Sequence, residues 1–584
     1  MKKVFIGHRG VGKTELLKRH QSYFPNIQHF DLDQVIAESE KQSVSDIFTT
    51  QGEAYFRQLE KKYFNQIIEN VSFVLSLGAG FNTDLIPADV EVVYVSRRTD
   101  TDGRLFLNRP RLNTELSPRE EYHQRFGERE PKFRLKADWI YHLPEGVDSP
   151  DEIEKTIFQK NFKIKNAYWT LNNESELLLF PKCSKSIELR TDLFDLETIL
   201  RIIKKYPEDH FLVSIRSQCD ENHDLFKYIK DILQVELDSD IEFSQFLEMA
   251  DIISTHSSDF ESGFKQTEDI QRKHIKFCPI VTSFDELKKG YLWQREDPVQ
   301  RSFLPRTDFS QNKKSLWRWY RQLQFSGQFN NQKINFIQSH TDMDDQPSLY
   351  EYLKSQNHDL KTFGAILGNP IHHSRTPVEQ SKAFDHKIYF VAVPLSESNF
   401  NQGFQFLKQL GLKCAAVTAP LKTVAAKNVY SNLSAVNSLV ASMDQWISES
   451  TDDEGLKKLI ETAEIDSQTK VAIWGGQGVL ESIQKVIPHT VAYSSRDGTV
   501  KRGQPTDTSS PDIVIWAAPK HETTKWPPTD WQPTVIIDLN YTDDSMGLEY
   551  AGQQPKAVYK SGLVMFQAQA KKQADFWKKY LDNK

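Results

Sequence analysis

The chain opens with an apolar strand that runs directly into a glycine-rich loop. Residues 2–14 read KKVFIGHRGVGKT. The loop supplies five candidate nucleotide-binding residues: Gly7, Gly10, Gly12, Lys13 and Thr14. Glycines let backbone N–H groups turn toward phosphate oxygens, the lysine reaches the terminal phosphates, and the threonine hydroxyl can hold Mg²⁺. The pattern therefore predicts a strand, loop and helix unit whose helix directs its positive end at a nucleoside triphosphate.

Length and composition limit the kinds of protein that this chain can be. At 584 residues it is too long for one core, and a typical size of about 150 residues per domain predicts three or four domains. A formal net charge of −7, with both signs mixed along the chain, favours small-molecule partners over nucleic acid. Four cysteines without paired spacing favour the reducing cytoplasm. We expect neither a membrane segment nor a cleaved leader.

Further polar motifs follow in the first 160 residues. Asp31 and Asp33 come around the end of a predicted strand, where both carboxylates can face a bound nucleotide. Gly78 and Gly80 form a second turn after an apolar run, which favours close approach of the backbone to a ligand. The block 97–134 is rich in arginine, which indicates an anion-binding surface; a solvated charged face is the alternative.

These motifs, in this order, resemble the shikimate kinase family. The family joins the phosphate loop to Asp-x-Asp, Gly-Glu-x-x-Phe-Arg-x-x-Glu, a glycine turn, an Arg-Pro lid and Arg-x-Pro-x-Tyr, although Ala79 and Phe133 replace a usual glycine and tyrosine. The resemblance implies an α/β kinase that uses ATP and Mg²⁺. It implies that Asp33 is catalytic and that Thr14 and Asp31 serve the metal. The remaining contacts that it implies are Arg57, Gly78, Gly80 and Arg129 for shikimate, and Arg109 as the lid arginine for ATP.

From about residue 165 the pattern changes to short apolar strands separated by helical stretches. This alternation predicts a parallel α/β sheet or barrel, in which polar residues at strand ends form the site. Five such residues occur: Glu188, Arg190, Arg216, His256 and Lys276. Burial favours the neutral form of a strand lysine and makes Lys276 a candidate Schiff-base nucleophile, whereas a lysine that extends to solvent from the strand end is the alternative.

The same residues resemble type I 3-dehydroquinate dehydratase. Glu-x-Arg-x-Asp begins at Glu188, Ile-Arg-Ser contains Arg216, Ile-Ser-x-His ends at His256, and the strand lysine Lys276 follows. The resemblance implies that Lys276 forms an imine with 3-dehydroquinate and that His256 moves protons. It also implies five substrate contacts: Glu188, Arg190, Arg216, Arg321 and Gln346.

Two departures distinguish this middle segment from that family. Only 68 positions separate Glu188 from His256 (256 − 188), which predicts a barrel-like domain in which one βα unit is either missing or trimmed. The family's histidine-orienting glutamate falls at Asp220, and the loop before Gln346 reads Asp-Met-Asp-Asp. Extra acid opposes an anionic substrate unless it faces away. An impaired dehydratase domain is therefore one expectation.

The polar segment 341–357 precedes a new apolar strand and predicts a boundary near residue 350. The following motifs resemble shikimate dehydrogenase: Asn-Pro-Ile-His-His-Ser-Arg-Thr-Pro at 369–377, Val-Thr-Ala-Pro-Leu-Lys at 417–422 and Ser-Thr-Asp at 450–452. The resemblance implies that Lys422 and Asp452 form the catalytic pair, since a carbonyl that accepts hydride needs a proton donor at its oxygen. It implies four substrate-binding residues: Ser374, Thr376, Asn437 and Gln569.

A strand and glycine turn from residue 470 predict a dinucleotide-binding half. The turn and the end of the next strand supply five candidate cofactor-binding residues: Gly475, Gly476, Gly478, Ser495 and Arg496. Arg496 can meet the 2′-phosphate of NADP at a position where an acid would favour NAD. Two further strands complete a doubly wound pattern, although Gln477 and Trp516 replace a usual glycine and asparagine. The resemblance thus implies NADP as the cofactor.

The three resemblances follow the order of the C-terminal end of the fungal arom multienzyme. They imply an α/β multidomain chain with a P-loop kinase domain at 1–160, a trimmed (β/α) barrel-like domain at 165–349 and a shikimate-dehydrogenase domain at 350–584. The last domain is expected to comprise a substrate part at 350–465, a Rossmann part at 466–560 and a C-terminal helix that returns to the substrate part.

These resemblances imply a trifunctional enzyme that dehydrates 3-dehydroquinate, reduces 3-dehydroshikimate with NADPH and phosphorylates shikimate. Two alternatives stay open, namely a regulator that resembles the fungal quinate repressors and a fusion with an inactive dehydratase domain. Neither nucleic acid nor membrane is an expected partner, and a homodimer is compatible with the sequence. Joint retention of six residues favours an enzyme: Lys13, Asp33, His256, Lys276, Lys422 and Asp452.

Overall fold

A computed structural model gives the fold in two compact units. It describes residues 2–97, 116, 118–143, 164–172, 174–179, 185–216, 234–238, 250–270, 274–312, 314–325, 332–338, 345–356, 362–369, 371, 374–385, 387–418, 420–443, 445–461, 463, 465–476, 479–504, 510–518, 523–540 and 545–581. One unit comprises residues 1–21, 25–140 and 416–584, and the other comprises residues 22–24 and 141–415.

The N-terminal part of the first unit is a five-stranded sheet flanked by helices. Its strands are β1 (Lys2–Ile6), β2 (Gln28–Asp31), β3 (Phe73–Ser76), β4 (Glu91–Arg97) and β5 (Trp139–Leu143), in the order β2-β3-β1-β4-β5. The helices are Lys13–Tyr23, Leu32–Glu40, Val44–Ile68 and Pro118–Lys136, with a 3₁₀ turn at Thr83–Leu85. Parallel strands covered by helices on both faces are apolar throughout, as in β1 and β3. The predicted strand, loop and helix unit is confirmed.

The second unit contains eight parallel strands in one sheet. They are β6 (Tyr168–Thr170), β7 (Ser186–Arg190), β8 (His210–Ile215), β9 (Gln234–Asp238), β10 (Ile252–Thr255), β11 (His274–Phe277), β12 (Arg301–Phe303) and β13 (Phe336–Gln338). Their order is β12-β11-β10-β9-β8-β7-β6-β13, so the last strand pairs with the first. The helices among them are Leu196–Lys205, Phe260–Asp269, Phe284–Glu296, Arg318–Leu323 and Leu349–Gln356, with a 3₁₀ helix at Glu174–Leu179.

Of the two expectations for this sheet, a missing βα unit is wrong, because all eight strands are present, whereas trimmed connections agree with the strand spacing. Four strands lie between residues 186 and 255, and the starts of β7, β8, β9 and β10 are 24, 24 and 18 residues apart (210 − 186, 234 − 210, 252 − 234). Short connections therefore account for the close spacing of Glu188 and His256. Spacing along the chain cannot distinguish a shortened connection from a lost strand.

The second unit also contains β14 (Phe363–Gly368), β15 (Tyr389–Pro394) and most of β16 (Leu412–Val417). Strands β14 and β15 pair in parallel over six residues each. The two helices of this part are Thr376–Ala383 and Phe400–Gln409.

The rest of the first unit begins within β16. Val417 donates its backbone N–H to the carbonyl of Asn437, next to the antiparallel hairpin β17 (Ser438–Ser442) and β18 (Gln445–Glu449). Helices Lys422–Asn428 and Asp452–Glu461 frame the hairpin in sequence, and helix Leu563–Leu581 packs on the second of them. A Cβ at Gly455 would lie 2.6 Å from the Met565 carbonyl oxygen, so glycine permits this close helix contact.

A six-stranded sheet completes the first unit. Its strands are β19 (Val471–Gly475), β20 (Val491–Tyr493), β21 (Val500–Arg502), β22 (Ile513–Ala517), β23 (Val535–Asp538) and β24 (Val558–Ser561), in the order β21-β20-β19-β22-β23-β24. Its helices are Leu480–Val486 and Met546–Gln553. Five strands are parallel, whereas β21 returns antiparallel beside β20. The turn between them is held by Asp497, which accepts from the Thr499 amide and hydroxyl, and by Gly498 at φ +82°.

None of the helices in the described part of the chain is both long enough and apolar enough to cross a bilayer.

Candidate active sites

The phosphate loop lies between β1 and the helix Lys13–Tyr23, and its backbone carbonyl groups bind the Lys13 side chain. The Lys13 ammonium donates to the carbonyl oxygens of Gly7 (2.9 Å) and His8 (3.0 Å). Gly12 has φ +103°, and a Cβ at Gly7 would lie 2.4 Å from the Val95 carbonyl oxygen. Both positions therefore require glycine. The loop presents backbone N–H groups and one buried cation, which is a suitable arrangement for phosphate oxygens.

The two predicted metal ligands lie together at the carboxyl end of β2. The Thr14 hydroxyl donates to Asp31 Oδ2 at 2.7 Å. A hydroxyl and a carboxylate are oxygen ligands of the kind that Mg²⁺ prefers, and Mg²⁺ usually retains waters and substrate phosphates as its other ligands. The residues present therefore fit a nucleotide-bound magnesium ion.

The residues predicted to hold the second substrate also converge. A Cβ at Gly78 would lie 3.1 Å from Asp33 Oδ1 and 3.3 Å from Glu60 Oε1. A Cβ at Gly80 would lie 2.3 Å from an Arg57 guanidinium nitrogen. The glycine turn is thus pressed against two carboxylates and an arginine, and a side chain at Gly78 or Gly80 would crowd them. Glu60 was not among the predicted site residues.

Electrostatics in this cluster favour an anionic ligand. Burial, together with Arg125 and Arg57, lowers the pKa of Arg129, which shows that three guanidinium groups lie near one another. Glu60 is ion-paired with Arg57, and its Oε1 has no hydrogen-bond partner within the described residues. Burial raises the pKa of Glu60 to about 7 despite that ion pair, and Asp33 adds to the rise.

An unpredicted contact joins the phosphate loop to the helix Pro118–Lys136. The buried His8 ring stacks on Phe126 with centroids 4.4 Å apart, and His8 Nε2 lies 2.8 Å from Glu130 Oε2. Partial burial opposes ionisation of Glu130, but hydrogen bonds from His8 and Tyr94 and the charge of Arg134 lower its pKa to about 2. Because Glu130 follows Arg129, this contact fixes the nucleotide loop against the helix that carries the predicted substrate arginine.

In the eight-stranded sheet, four side chains form a continuous polar chain. Lys276 Nζ donates to Glu236 Oε1 at 2.7 Å, and Arg216 Nη2 lies 2.7 Å from the same oxygen. Arg216 Nη1 lies 2.7 Å from His256 Nε2, so Nε2 is the acceptor and Nδ1 carries the proton of the neutral ring. Burial, Arg216 and Lys276 lower the pKa of His256 well below its usual value. A neutral imidazole can therefore act as a base at neutral pH.

Among these four side chains, Glu236 is the one that the sequence analysis did not predict. It lies in β9, whose sequence QVELD alternates polar and apolar residues and resembles a strand with one solvated face. Its side chain is fully buried, however. Burial opposes ionisation of Glu236, but Arg216 and Lys276 outweigh burial and lower its pKa. An acid within an otherwise buried parallel strand was the available signal.

Glu188 and Gln346 are brought to the same site. Glu188 accepts from the Thr170 and Ser214 hydroxyls and lies 3.3 Å from Arg216 Nη2. Gln346 Nε2 donates to Thr170 Oγ1 at 2.8 Å. The two predicted substrate residues are therefore linked through one threonine. Arg190, by contrast, pairs in a bidentate manner with Asp192.

The acidic loop before Gln346 is turned into the protein at Asp345. Its Oδ1 accepts from the Thr307 hydroxyl (2.6 Å), the Ser315 hydroxyl and the Trp317 amide (3.0 Å), and its Oδ2 accepts from the Thr307 amide. Asp345 is thus a buried anchor of the loop. The sequence left open whether the acid of this loop faces away from a substrate, and at Asp345 the carboxylate is held by donors within the protein.

The remaining predicted residues of the first 350 positions are placed as follows. Arg321 is buried in the helix Arg318–Leu323, and its charge acts on the buried Cys278 thiol. Two residues named in the sequence analysis lie outside the described residues: Arg109 and Asp220.

A second polar cluster lies at the start of helix Asp452–Glu461 in the first unit. Lys422 Nζ donates to Asp452 Oδ2 at 2.6 Å. Asn437 Nδ2 and Gln569 Nε2 each donate to Asp452 Oδ1 at 2.8 Å. Asn437 is fully buried and exchanges hydrogen bonds with Thr451. The predicted catalytic pair and two predicted substrate residues thus share one carboxylate.

The other two predicted residues of this group lie in the second unit. Ser374 Oγ accepts from the Thr376 amide at 3.2 Å, and Thr376 begins a helix with Pro377 in its first turn. Both hydroxyl residues therefore lie at the N-terminus of one helix.

The glycine turn after β19 has the backbone that the sequence predicted for a dinucleotide site. Gly475 and Gly476 have φ +89° and +81°, and a Cβ at Gly475 would lie 2.8 Å from Ala518 Cα. The Ser495 carbonyl oxygen accepts a hydrogen bond from the Lys525 amide, and Arg496 is exposed at the turn between β20 and β21. Gly478 lies outside the described residues. The described half of the turn fits a pyrophosphate.

Comparison with known proteins assigns a family to the N-terminal part of the chain and finds a more distant relative of the C-terminal part. Residues 9–159 match the family profile "Shikimate kinase". The shikimate kinase of Sulfurihydrogenibium sp. is 32% identical over 144 residues, which are 23% of this chain and 84% of that protein. The shikimate dehydrogenase (NADP(+)) of Prochlorococcus marinus is 23% identical over 261 residues, which are 37% of this chain and 91% of that protein.

Among solved structures, the dehydroquinate dehydratase and shikimate dehydrogenase from S. pombe AroM aligns with 73% of this chain and 97% of its own. The sequence identity is 14% and the TM-score is 0.28.

We predict that Glu60 makes the stability of the first unit depend on pH. Its pKa of about 7 exceeds the ordinary 4.5, so the folded state binds the proton more tightly than the unfolded chain. The free energy of unfolding is then highest below pH 4.5 and falls as pH rises through 7, by up to about 3 kcal/mol. Denaturant unfolding across this range should show that Glu60→Gln removes this component.

Glu53 supplies the matched control, because it pairs with the same arginine at 2.7 Å but is half exposed. Glu53→Gln should leave the pH dependence of unfolding unchanged. A Glu60→Gln protein that keeps the wild-type slope would show that another group titrates.

Proposed function

The N-terminal part of this chain belongs to the shikimate kinase family, and from that premise we propose that the protein phosphorylates shikimate with ATP and Mg²⁺. The observation that carries the proposal is the convergence of Asp33, Arg57 and the glycine turn beside a phosphate loop. An anion-binding arginine cluster and a carboxylate that can receive a hydroxyl proton are what a carboxylate-bearing polyol requires.

In this reaction each side chain has a limited task. Asp33 orients the attacking hydroxyl of shikimate and takes its proton as the new oxygen–phosphorus bond forms and the bond to ADP breaks. Lys13 neutralises phosphate charge, and Thr14 and Asp31 would hold Mg²⁺, which would screen the same charge. Arg57 and Arg129 hold the shikimate carboxylate. Positioning and charge neutralisation provide most of the catalysis in phosphoryl transfer.

Asp33→Asn should lower kcat for shikimate phosphorylation by at least about 100-fold, because the amide cannot accept the hydroxyl proton. Glu38→Gln is the control, since Glu38 is an acid on the same helix Leu32–Glu40 and accepts a hydrogen bond from Gln34 one turn earlier. A coupled assay of ADP release measures both variants. Equal rates for Asp33→Asn and the wild type would remove Asp33 from the mechanism.

The C-terminal part acts, in our proposal, as a shikimate dehydrogenase that uses NADP. The Lys422 and Asp452 pair supports this activity, because Lys422 can give a proton to the carbonyl oxygen of 3-dehydroshikimate while Asp452 holds the ammonium in place. Asn437 and Gln569 fix Asp452 and direct the substrate. Gly475 and Gly476 admit a pyrophosphate, and Arg496 is available to a 2′-phosphate. NADPH, when bound, supplies the hydride.

Lys422→Ala should lower kcat for NADP-dependent oxidation of shikimate by at least about 100-fold through loss of the proton-transferring group. Lys427→Ala, on the same helix Lys422–Asn428 but exposed, should keep the wild-type rate. Absorbance of NADPH reports both rates. If the two variants behave alike, the pair with Asp452 is structural.

For the middle part we propose dehydration of 3-dehydroquinate through an imine on Lys276. The supporting observation is the chain of Lys276, Glu236, Arg216 and His256 at the carboxyl side of the sheet. The neutral Lys276 amine forms a C–N bond to the ketone carbon, and the ketone oxygen leaves as water. His256 then takes a proton from the adjacent carbon, and the neighbouring hydroxyl departs as water when that proton is returned to it. Hydrolysis frees the lysine and the product.

Borohydride reduction in the presence of 3-dehydroquinate should leave a covalent adduct that peptide mapping assigns to Lys276. Lys276→Met should abolish the adduct and retain phosphorylation and oxidation of shikimate. Absence of an adduct on the wild type, with the other activities intact, would indicate a fusion with an inactive middle domain. Absence of all three activities would favour the regulator.

A further inference from the structure

One carboxylate oxygen in the eight-stranded sheet contacts two cations. Glu236 Oε1 lies 2.7 Å from Lys276 Nζ and 2.7 Å from Arg216 Nη2. Glu236 is fully buried and Lys276 is 3% exposed, so water does not screen this contact. The Lys276 ammonium also lies 3.9 Å from the centre of the Phe336 ring, an arrangement that favours a charged rather than a neutral amine. Glu236 and the Phe336 ring therefore both contact the Lys276 nitrogen directly.

The other charged groups near Lys276 include two guanidinium groups, those of Arg216 and Arg306. Arg216 and Glu188 lie at the ion pair, and the Lys276 charge acts on His256 and Cys278. Glu236 also acts on His274 and Tyr168, and Arg306 acts on both His256 and Cys278. Most of these are cations or neutral, and Glu188 is already engaged by Thr170, Ser214 and Arg216. Glu236 is the carboxylate in direct contact with the ammonium.

We propose that Glu236 is a positioning residue of the middle site, whose carboxylate holds the resting Lys276 ammonium beside Arg216 and thereby sets the pH at which the amine becomes nucleophilic. The imine step rests on the dehydratase function proposed above, whereas the charge-holding contact does not. The proposal gives Glu236 no contact with substrate. It acts through Lys276, because an amine attacks a carbonyl only after it has lost its proton.

The test has one arm that needs no dehydratase activity. Reductive methylation of the full-length chain with formaldehyde and cyanoborohydride, followed by peptide mapping, measures the pH dependence of amine reactivity at Lys276 alone. Loss of one contacting carboxylate shifts such a profile by about one unit or more. In Glu236→Gln the midpoint should therefore move at least about one pH unit lower, with about tenfold faster methylation below the wild-type midpoint.

Two further variants make the result specific. Glu236→Asp keeps the charge but shortens the side chain, so its midpoint should lie between those of the wild type and Glu236→Gln. Glu261→Gln removes an exposed carboxylate of the same sheet domain, one that pairs with Lys289, and should match the wild type. If Glu236→Gln does not fold, the aspartate variant carries the test, and thermal unfolding of each protein reports which case applies.

The second arm repeats the series with borohydride trapping of 3-dehydroquinate. A parallel downward shift of the trapping midpoint in Glu236→Gln supports the proposal. An unchanged methylation midpoint in both Glu236 variants overturns it. A shifted methylation midpoint, together with no 3-dehydroquinate adduct on the wild type, supports the charge-holding role of Glu236 and rejects the dehydratase function. Failure of the role proposed for Glu236 is therefore distinguishable from failure of the dehydratase function.

Discussion

The parallel β-ladder is the interaction on which most of the candidate sites depend. Parallel strands joined by helices place their carboxyl ends at one edge of the sheet, so residues that are distant in sequence meet there. The phosphate loop follows β1, the Asp31 and Asp33 pair follows β2, and the Gly78 turn follows β3. The same rule brings Arg216 and His256, which follow β8 and β10, into contact. Chemistry-bearing residues therefore need no proximity in sequence.

Buried carboxylates hold neighbouring side chains in place at these sheet edges. Glu60, Glu236 and Asp345 are almost fully buried, and burial of an unpaired charge costs several kcal/mol. Each is compensated differently. Glu60 keeps one oxygen without a partner among the described residues and has a raised pKa, Glu236 receives two cations and has a lowered pKa, and Asp345 receives four neutral donors. The first two arrangements leave a charge that can respond to a ligand, whereas the third serves only to anchor a loop.

The sequence was informative where local motifs require one backbone conformation. The phosphate loop requires positive φ at Gly12, and a strand followed by Gly-x-x-x-x-Gly-Lys-Thr leaves few other structures. The Lys422 and Asp452 contact was also predicted, but only through a family resemblance, since 30 residues separate the two side chains. The sequence was misleading about strand number, because the spacing of Glu188 and His256 does not reveal how short a connection is.

The sequence did not reveal the roles of residues whose contacts come from other strands or helices. Glu60 belongs to a motif that the family shares, yet its burial against Asp33 and Gly78 appears only when β2 and β3 pair. His8 stands at a loop position where its stacking on Phe126 depends on a helix more than 100 residues away. Alternating polarity in β9 indicates a solvated face for Glu236 and gives no hint that β8 and β11 supply its two cations.

The cost of the buried ionic chain is itself an argument about the middle site. Well-packed apolar residues in place of a buried ion pair or triad are often neutral or stabilising, so stability alone does not require Lys276, Glu236 and Arg216 inside the sheet. A fold that needed only a filled barrel would place apolar residues there, as the layers of β-barrels usually do. Instead, Lys276 and Arg216 share one oxygen of Glu236, and the neutral His256 is hydrogen-bonded to Arg216. Glu188 lies beside Arg216. These groups are explained more directly by the roles proposed for Lys276 and Glu236 than by the requirements of folding.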